Sequence, residues 1–439
     1  MATTGRPAIE ASDLPSSGAP ARSRWLILAL LAIGAMVAFV DRVNISAALT
    51  VEPFKQHFEL SDLDRGWINS AFFWSYAVFQ VPMGWVVDRY GTKWPYTICF
   101  VVWSIASASI GLMSTVWALI LMRLIVGAAE AVVVPASYRW IRNNFHPNDS
   151  GKAVGFYMLG TKFGPALGAP LAAWLIVSFN WQAMFLITGV AGMLWLIPWV
   201  LLAKDDSSKS TSTLAAERQG ADTSIGRILS SPLVWGTLVV IFCYNYFTFF
   251  CMTWMPAYLV EQRGLSLEQM GLYTFFSFLG IALVALAAGW GADTLIKRYG
   301  HAVLIRKVFV VAGFAIACTV LLGARTESVG WALFWNVFSL SGLGLTSANN
   351  LALCSLTLIP KPIVGRVKGV QNVAAALAGI VAPITTGWLL HMTGSFLAPM
   401  TLIFALLVLG AVTVMVMLRP EWAPTIDDRG AADMRAQEA

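Results

Sequence analysis

The sequence predicts an all-α integral membrane protein of twelve transmembrane helices, arranged as two pseudo-symmetric six-helix bundles. Three observations predict it. Hydrophobic residues are 58% of the 439 and charged residues only 12%, with a mean hydropathy of +0.70, far too apolar for a soluble chain of this length. The apolar residues come in repeated stretches of roughly 20 or more, the length a helix needs to cross about 30 Å of hydrocarbon; barrel strands would be short and alternating. One long polar connection, residues 204–231, rich in Ser, Thr, Lys and Asp, divides the chain into two equal sets of spans.

In order, residues 1–24 form a cytoplasmic tail whose first 20 residues are polar and Pro/Ala/Ser-rich, without the apolar core of a cleavable signal peptide. The first bundle, 25–203, holds spans near 25–48, 66–87, 93–113, 115–141, 150–177 and 181–203. After the cytoplasmic linker, the second bundle, 232–418, holds spans near 233–259, 267–292, 303–323, 329–358, 365–390 and 394–418, and a second cytoplasmic tail follows at 419–439. Lys and Arg crowd the connections on the side of the N-terminus (Arg89, Lys93, Arg142, Lys152, Lys297, Arg298 and others), whereas the opposite connections hold only Lys55, Arg65, Arg263 and Arg325. That asymmetry predicts both termini in the cytoplasm and a multi-pass protein of the inner (plasma) membrane. The net charge of +6 follows loop position and is no nucleic-acid signal. The five cysteines all fall inside spans without CxxC or metal-ligand spacing, so they read as small core residues, with no metal expected.

The chemistry concentrates in Ala38–Ala48, where Asp41, Arg42 and Asn44 interrupt an apolar span. Each charge at membrane depth costs at least roughly 2.5–3.5 kcal/mol, so a chain that keeps adjacent ones has a use for them. Arg123, Glu130 and Lys162 lie at depth in the same half, with Arg139 near a helix end; no charge lies at depth in the second half. Arg123 and Glu130, seven residues apart, share one helix face about 10 Å apart. The depths make an Asp41–Arg123 contact sterically reasonable and put Lys162 near the midplane, within reach of Glu130 or a ligand. Burial favours the neutral form of a carboxyl group and a nearby guanidinium favours the charged form, so a shift of Arg123 relative to Asp41 would switch proton affinity.

The halves also repeat. Gly84-Trp85-Val86-Val87-Asp88-Arg89-Tyr90-Gly91-Thr92-Lys93 follows the second span, and Gly289-Trp290-Gly291-Ala292-Asp293 with Lys297-Arg298-Tyr299-Gly300 follows the eighth. The first loop resembles the signature of the major facilitator superfamily, and the resemblance in topology and repeat covers nearly the whole chain. It implies that Asp88 and Arg89, with Asp293 and Arg298 as weaker counterparts, latch the halves together on the cytoplasmic side in one state. D-R-x-N in the first span, A-F-F-W-S-Y-A-V-F-Q-V-P-M-G-W at 71–85, R-x6-E in the fourth span and G-V-Q-N at 369–372 together resemble the anion:cation symporters of that superfamily. That resemblance implies proton coupling at Asp41 and Glu130, modulated by Arg123. It also implies a substrate carboxylate on Arg42, whose planar fork suits it, and hydrogen bonds from Tyr76 and Asn372.

The fifth span departs from the sugar-acid pattern with Thr161 and the charged Lys162, a cation that can receive a second carboxylate or neutralise Glu130. In the second half the amides of Asn349, Gln371 and Asn372 suit hydroxyl recognition, though each can equally be interhelical glue. These readings predict a monomeric proton-coupled importer of an organic anion such as a sugar acid, with a small carboxylate as partner, no nucleic acid, and no cofactor beyond protons. An alternative is a proton/drug antiporter, because Gly151, Gly160, Gly164-Pro165 and Gly168-Ala169 resemble an antiporter glycine pattern except at the last position, though such spacing also serves close packing. An enzyme is not expected: no HExxH, GxSxG or phosphate-cradling loop appears.

Overall fold

Every apolar stretch named above becomes helix. In the computed structural model, which describes residues 21–204, 225–360 and 363–424, the spans are α1 (Ala21–Ala48), α2 (Asp62–Tyr90), α3 (Lys93–Ser109), α4 (Val116–Glu130 and Val133–Asn144), α5 (Pro147–Ser178), α6 (Trp181–Met193 and Leu196–Leu202), α7 (Pro232–Thr253), α8 (Leu267–Tyr299), α9 (Ala302–Ala317 and Val320–Arg325), α10 (Val329–Leu351), α11 (Val364–Thr393) and α12 (Leu397–Val416). Ten of the twelve are long and apolar enough to cross a membrane by length and composition alone; α2 and α5 complete the set. Most of the expected N-terminal tail, of the 204–231 connection and of the C-terminal tail lies outside the described residues.

The local signals repeat with the halves. Ser61 starts α2 with a capping box closed by Asp64, and Ser266 starts α8 with the same device closed by Gln269. Thr115 and Ser328 cap α4 and α10. Gly91 and Gly300 end α2 and α8 at φ of 82° and 76°, a region that favours glycine, which is why the loop repeat keeps Tyr-Gly at both places.

Packing repeats likewise. In the first half α1 packs on α5, α2 on α4, and α3 on both α4 and α6; in the second, α7 packs on α11, α8 on α10, and α9 on both α10 and α12. The halves meet through α2 on α11 and α5 on α8. At each of these seams a glycine lies against a proline-bearing segment: a Cβ on Gly66 would come within 2.9 Å of the Pro383 carbonyl oxygen, and one on Gly271 within 2.8 Å of the Pro170 Cα.

The seam between α2 and α11 is tight at one end and parted at the other. Ser70 donates to the Ile380 carbonyl at 3.0 Å, and Phe73 meets Phe249 with ring centroids 4.5 Å apart. One to two turns further along α2, a cleft of about 490 Å³ opens, lined by Ala77, Gln80 and Val81 on one side and by Gly369, Asn372 and Val373 on the other. The molecule is thus shut towards the face where α2 begins, called here the far face, and parted towards the face where α1 begins, the terminal face.

Candidate functional site

Successive residues of a helix point about 100° apart, and on α1 this divides the charged stretch between two environments. Arg42 reaches α4, where its Nε donates to Glu130 Oε2 at 2.8 Å. Its guanidinium stands over three rings, 4.3 Å from the centroid of Phe39, 4.7 Å from Phe72 and 4.9 Å from Tyr76. Ala77, directly after Tyr76, and Val134, four residues after Glu130, line the cleft; Arg42, Glu130 and Tyr76 do not themselves line it. Asp41 points elsewhere: it accepts from Ser107 Oγ of α3 at 3.2 Å and from Asn44 Nδ2 at 3.5 Å, and the same Nδ2 donates to Thr188 Oγ1 of α6 at 3.1 Å.

Glu130 is fully buried where the first piece of α4 ends, and its Oε1 has no partner among the described residues. Close approach of α4 to α2 at Gly127, which lies on the Phe72 carbonyl and Ser75 Oγ, holds it there. Arg123, also buried, stands 5.0 Å from the Phe72 centroid with its Nε unpartnered. Two carboxylates and two guanidiniums therefore share one buried region, with one direct ion pair among them, Arg42 to Glu130.

The other expected residues are placed as follows. Asp41 and Arg123 make no ion pair or hydrogen bond with each other, because Asp41 faces α3 and α6. Lys162 is half-buried and pairs with no carboxylate among the described residues; Glu130 is already taken by Arg42. Thr161 turns its hydroxyl back to the Met158 carbonyl of its own helix at 2.8 Å. Gln371 spends its amide inside the second half, on Ser355 Oγ, Thr237 Oγ1 and the Cys354 carbonyl, and Asn349 takes part in a cluster with Arg306 and helix carbonyls. Among the second-half amides proposed from sequence, Asn372 is the one exposed to the cleft. The glycines at 160, 164 and 168 all lie on α1, against Ala32, Met36 with Phe39, and Val40, which is the packing use of that pattern.

Among the described residues, Asp88, Arg89, Asp293 and Arg298 make no pair across the halves in this conformation. Asp88 pairs with Arg139 at 3.4 Å and Asp293 with Arg306 at 2.8 Å, each within its own half, while Arg89 stacks on Trp85 and Tyr90 and Arg298 on Tyr299. A latch of the kind expected there stands instead on the far face. Arg65, 4% exposed, donates two hydrogen bonds of 3.1 and 2.8 Å to Glu261 of the second half, donates to Asp62 at 2.8 Å and lies 4.8 Å from the Trp254 centroid. Lys55 reaches the same Glu261 at 3.3 Å. Sequence reasoning missed Glu261, since a single acid at a helix end carries no local sign of a partner almost two hundred residues away.

A family model described as Major Facilitator Superfamily matches residues 31–383. The chain belongs to that superfamily. Its members are transporters, not enzymes, and the twelve-helix fold agrees with solved superfamily structures. A bacterial homologue of the human lysosomal transporter Spinster, in an inward-facing and occupied conformation, superposes with a TM-score of 0.75 at 16% identity, covering 91% of this chain and 97% of that one. A D-xylose-proton symporter superposes with a TM-score of 0.72 at 17% identity, covering 90% and 98%. Among curated superfamily relatives, the D-galactonate transporter of Escherichia coli O6:H1 is 27% identical over 92% of this chain and 98% of its own length, and the hexuronate transporter of Bacillus subtilis 29% over 90% and 94%.

Proposed function

We propose that this superfamily member is a proton-coupled symporter importing an organic anion, a sugar acid or related carboxylate, by alternating access. The observation that carries the reading is the buried Arg42–Glu130 ion pair within the first half. With Glu130 ionised, Arg42 is occupied; with Glu130 protonated, the acid loses its charge and the guanidinium is free to take a carboxylate with its planar fork. Leaving Arg42 buried without any anion would be costly, so proton and substrate arrive together. Asp41 is the second coupling carboxylate, with Arg123 biasing both acids, and Tyr76 and Asn372 hydrogen-bond the substrate from the two sides of the cleft. Lys162, a half-buried cation with no anionic partner among the described residues, is available to a second carboxylate. Relatives named for galactonate and hexuronate transport support a sugar acid as the substrate class.

In this reading the terminal face is cytoplasmic, as the Lys and Arg distribution favours, and the protein works as a monomer in the inner membrane. Arg65 and Glu261 then hold the outer gate shut while the cleft faces the cytoplasm. Asp88, Arg89, Asp293 and Arg298 join the halves in the opposite state.

The test is external pH in a lightly buffered, de-energised cell suspension expressing the protein, after adding sugar acids, aldarates and aromatic acids one at a time. Alkalinisation with one class, absent in Asp41→Asn, is expected. No alkalinisation with any acid, together with dissipation of a preset proton gradient by lipophilic drugs, would replace symport by antiport.

A further inference from the structure

Two buried guanidiniums stand over one ring. Arg42 Cζ is 4.7 Å from the centroid of Phe72 and Arg123 Cζ is 5.0 Å from it. Arg42 has two further rings beside it, Phe39 and Tyr76; for Arg123, Phe72 is the one ring at such a distance among the described residues. Phe72 is fully buried and fixed from several sides. Its carbonyl lies on Gly127 of α4 and accepts from Ser75 Oγ at 3.2 Å. Phe73 stands edge-on to its ring with centroids 5.1 Å apart, and Tyr76 stacks on it at 5.5 Å.

Gly127 comes four residues after Arg123 and three before Glu130, on the face of α4 that all three share. The backbone of Phe72 therefore docks on α4 between these two charges, and its ring meets the guanidinium that comes over from α1.

Charge balance explains why a ring is useful there. Arg42 donates from Nε to Glu130, Asp41 accepts from Ser107 and Asn44, and Arg123 has no ion pair among the described residues. The charged groups acting on Glu130 and Asp41 are these same neighbours, Arg42 and Arg123 among them. Two buried cations with one direct ion pair leave positive charge over, and more of it whenever Glu130 is neutral. The face of an aromatic ring carries negative charge density and attracts a cation within about 6 Å, most strongly where water is excluded. Unlike a carboxylate it takes no proton, so it holds a guanidinium at every stage of a proton cycle.

We propose that Phe72 is a positioning residue of the transport site, the fixed counter-surface that keeps Arg42 and Arg123 in place when Glu130 is protonated. The inference rests on the reading in which Arg42 takes the substrate carboxylate. With Glu130 neutral, the ring holds Arg42 where it stands, its fork ready for an anion. Without that surface the long Arg42 side chain regains its rotamer freedom, and the incoming anion must order it again at a cost in affinity. Phe72 touches no substrate in this scheme; it acts through Arg42.

The test replaces Phe72 by phenylalanines carrying one, two or three ring fluorines, in the otherwise intact protein reconstituted in vesicles. Fluorine withdraws charge from the ring face and changes its size little, so a cation-holding role and a packing role separate. Counterflow is measured with D-galactonate or D-glucarate, whichever the wild type carries faster. The half-saturating concentration is expected to rise with each fluorine, roughly tenfold for three, at nearly constant maximal rate. In Glu130→Gln, where no carboxylate shares Arg42 with the ring, the rise per fluorine is expected to be steeper. No dependence on fluorine number overturns the inference and leaves Arg42 and Glu130 in their roles. A falling Tm with unchanged half-saturation overturns it as well, because the ring then steadies the fold and not the site. Equal slopes with and without Glu130 overturn the part assigned to the protonated state. Failure of the wild type to exchange either acid sinks the substrate reading of Arg42, and this inference with it.

Discussion

Arg65 and Glu261 bind each other through two hydrogen bonds across the boundary between the halves, with the Arg65 guanidinium laid against Trp254. Opening the far face must break this pair. Glu261 is 23% exposed, so solvent screens part of the interaction, and Glu261→Gln is expected to cost the closed state about 1–2 kcal/mol. In a cysteine-free background, a single cysteine placed at Asn69, which is 1% exposed here, should then react with a membrane-impermeant maleimide roughly 5–30 times faster. An unchanged rate would remove the pair from control of the far face.

Glu130→Gln leaves Arg42 without a carboxylate while keeping the shape of the pair. If Glu130 protonation frees Arg42 for substrate, the variant should still exchange substrate across the membrane but lose uphill accumulation, by tenfold or more. Arg42→Lys should lose most substrate affinity, about 1–3 kcal/mol, since an ammonium lacks the fork and stacks poorly between Phe39, Phe72 and Tyr76. Uptake and counterflow measured side by side separate the two effects.

Lys162→Gln distinguishes a substrate role from simple charge balance. With Lys162 receiving a second carboxylate, the half-saturating concentration of a dicarboxylate such as D-glucarate should rise about tenfold and that of a monocarboxylate such as D-galactonate hardly at all. Equal shifts for both acids would point to the local field in place of a contact.

Gly160 lies on the Ala32 backbone, so any side chain there forces α1 and α5 apart. Gly160→Val should lower stability by more than about 2 kcal/mol, visible as a lower apparent Tm in detergent. Gly151→Ala, where nothing approaches within 4 Å, should leave the Tm unchanged.

The twelve helices were legible because hydrocarbon thickness fixes span length, and the duplication because Gly91 and Gly300 meet the same backbone demand at two loops. Arg42 and Glu130 were legible as a buried pair of charges, since nothing but function or a partner keeps them at that depth. Their pairing with each other was not, because depth along a helix axis says nothing about rotation around it, and a turn of about 100° sends Asp41 to α3 and Arg42 to α4. The same limit affects the amides. Gln371 and Asn349 look like cavity residues in sequence, yet backbone carbonyls and hydroxyls of the second half claim them first.

The two glycine-on-proline seams have a mechanical consequence. Gly66 on Pro383 and Gly271 on Pro170 occupy corresponding places in the duplicated halves, and each presents bare backbone to its partner. Interlocked side chains would have to be withdrawn from their sockets before two surfaces could part, and dense packing makes such withdrawal slow. Smooth seams come away without that friction and reseat without a search for rotamers. Parting the far face is then work done chiefly against the charged clasp of Arg65 and Glu261, while the backbone seams behave as press-studs that can be opened and shut on every cycle without wear on the fold.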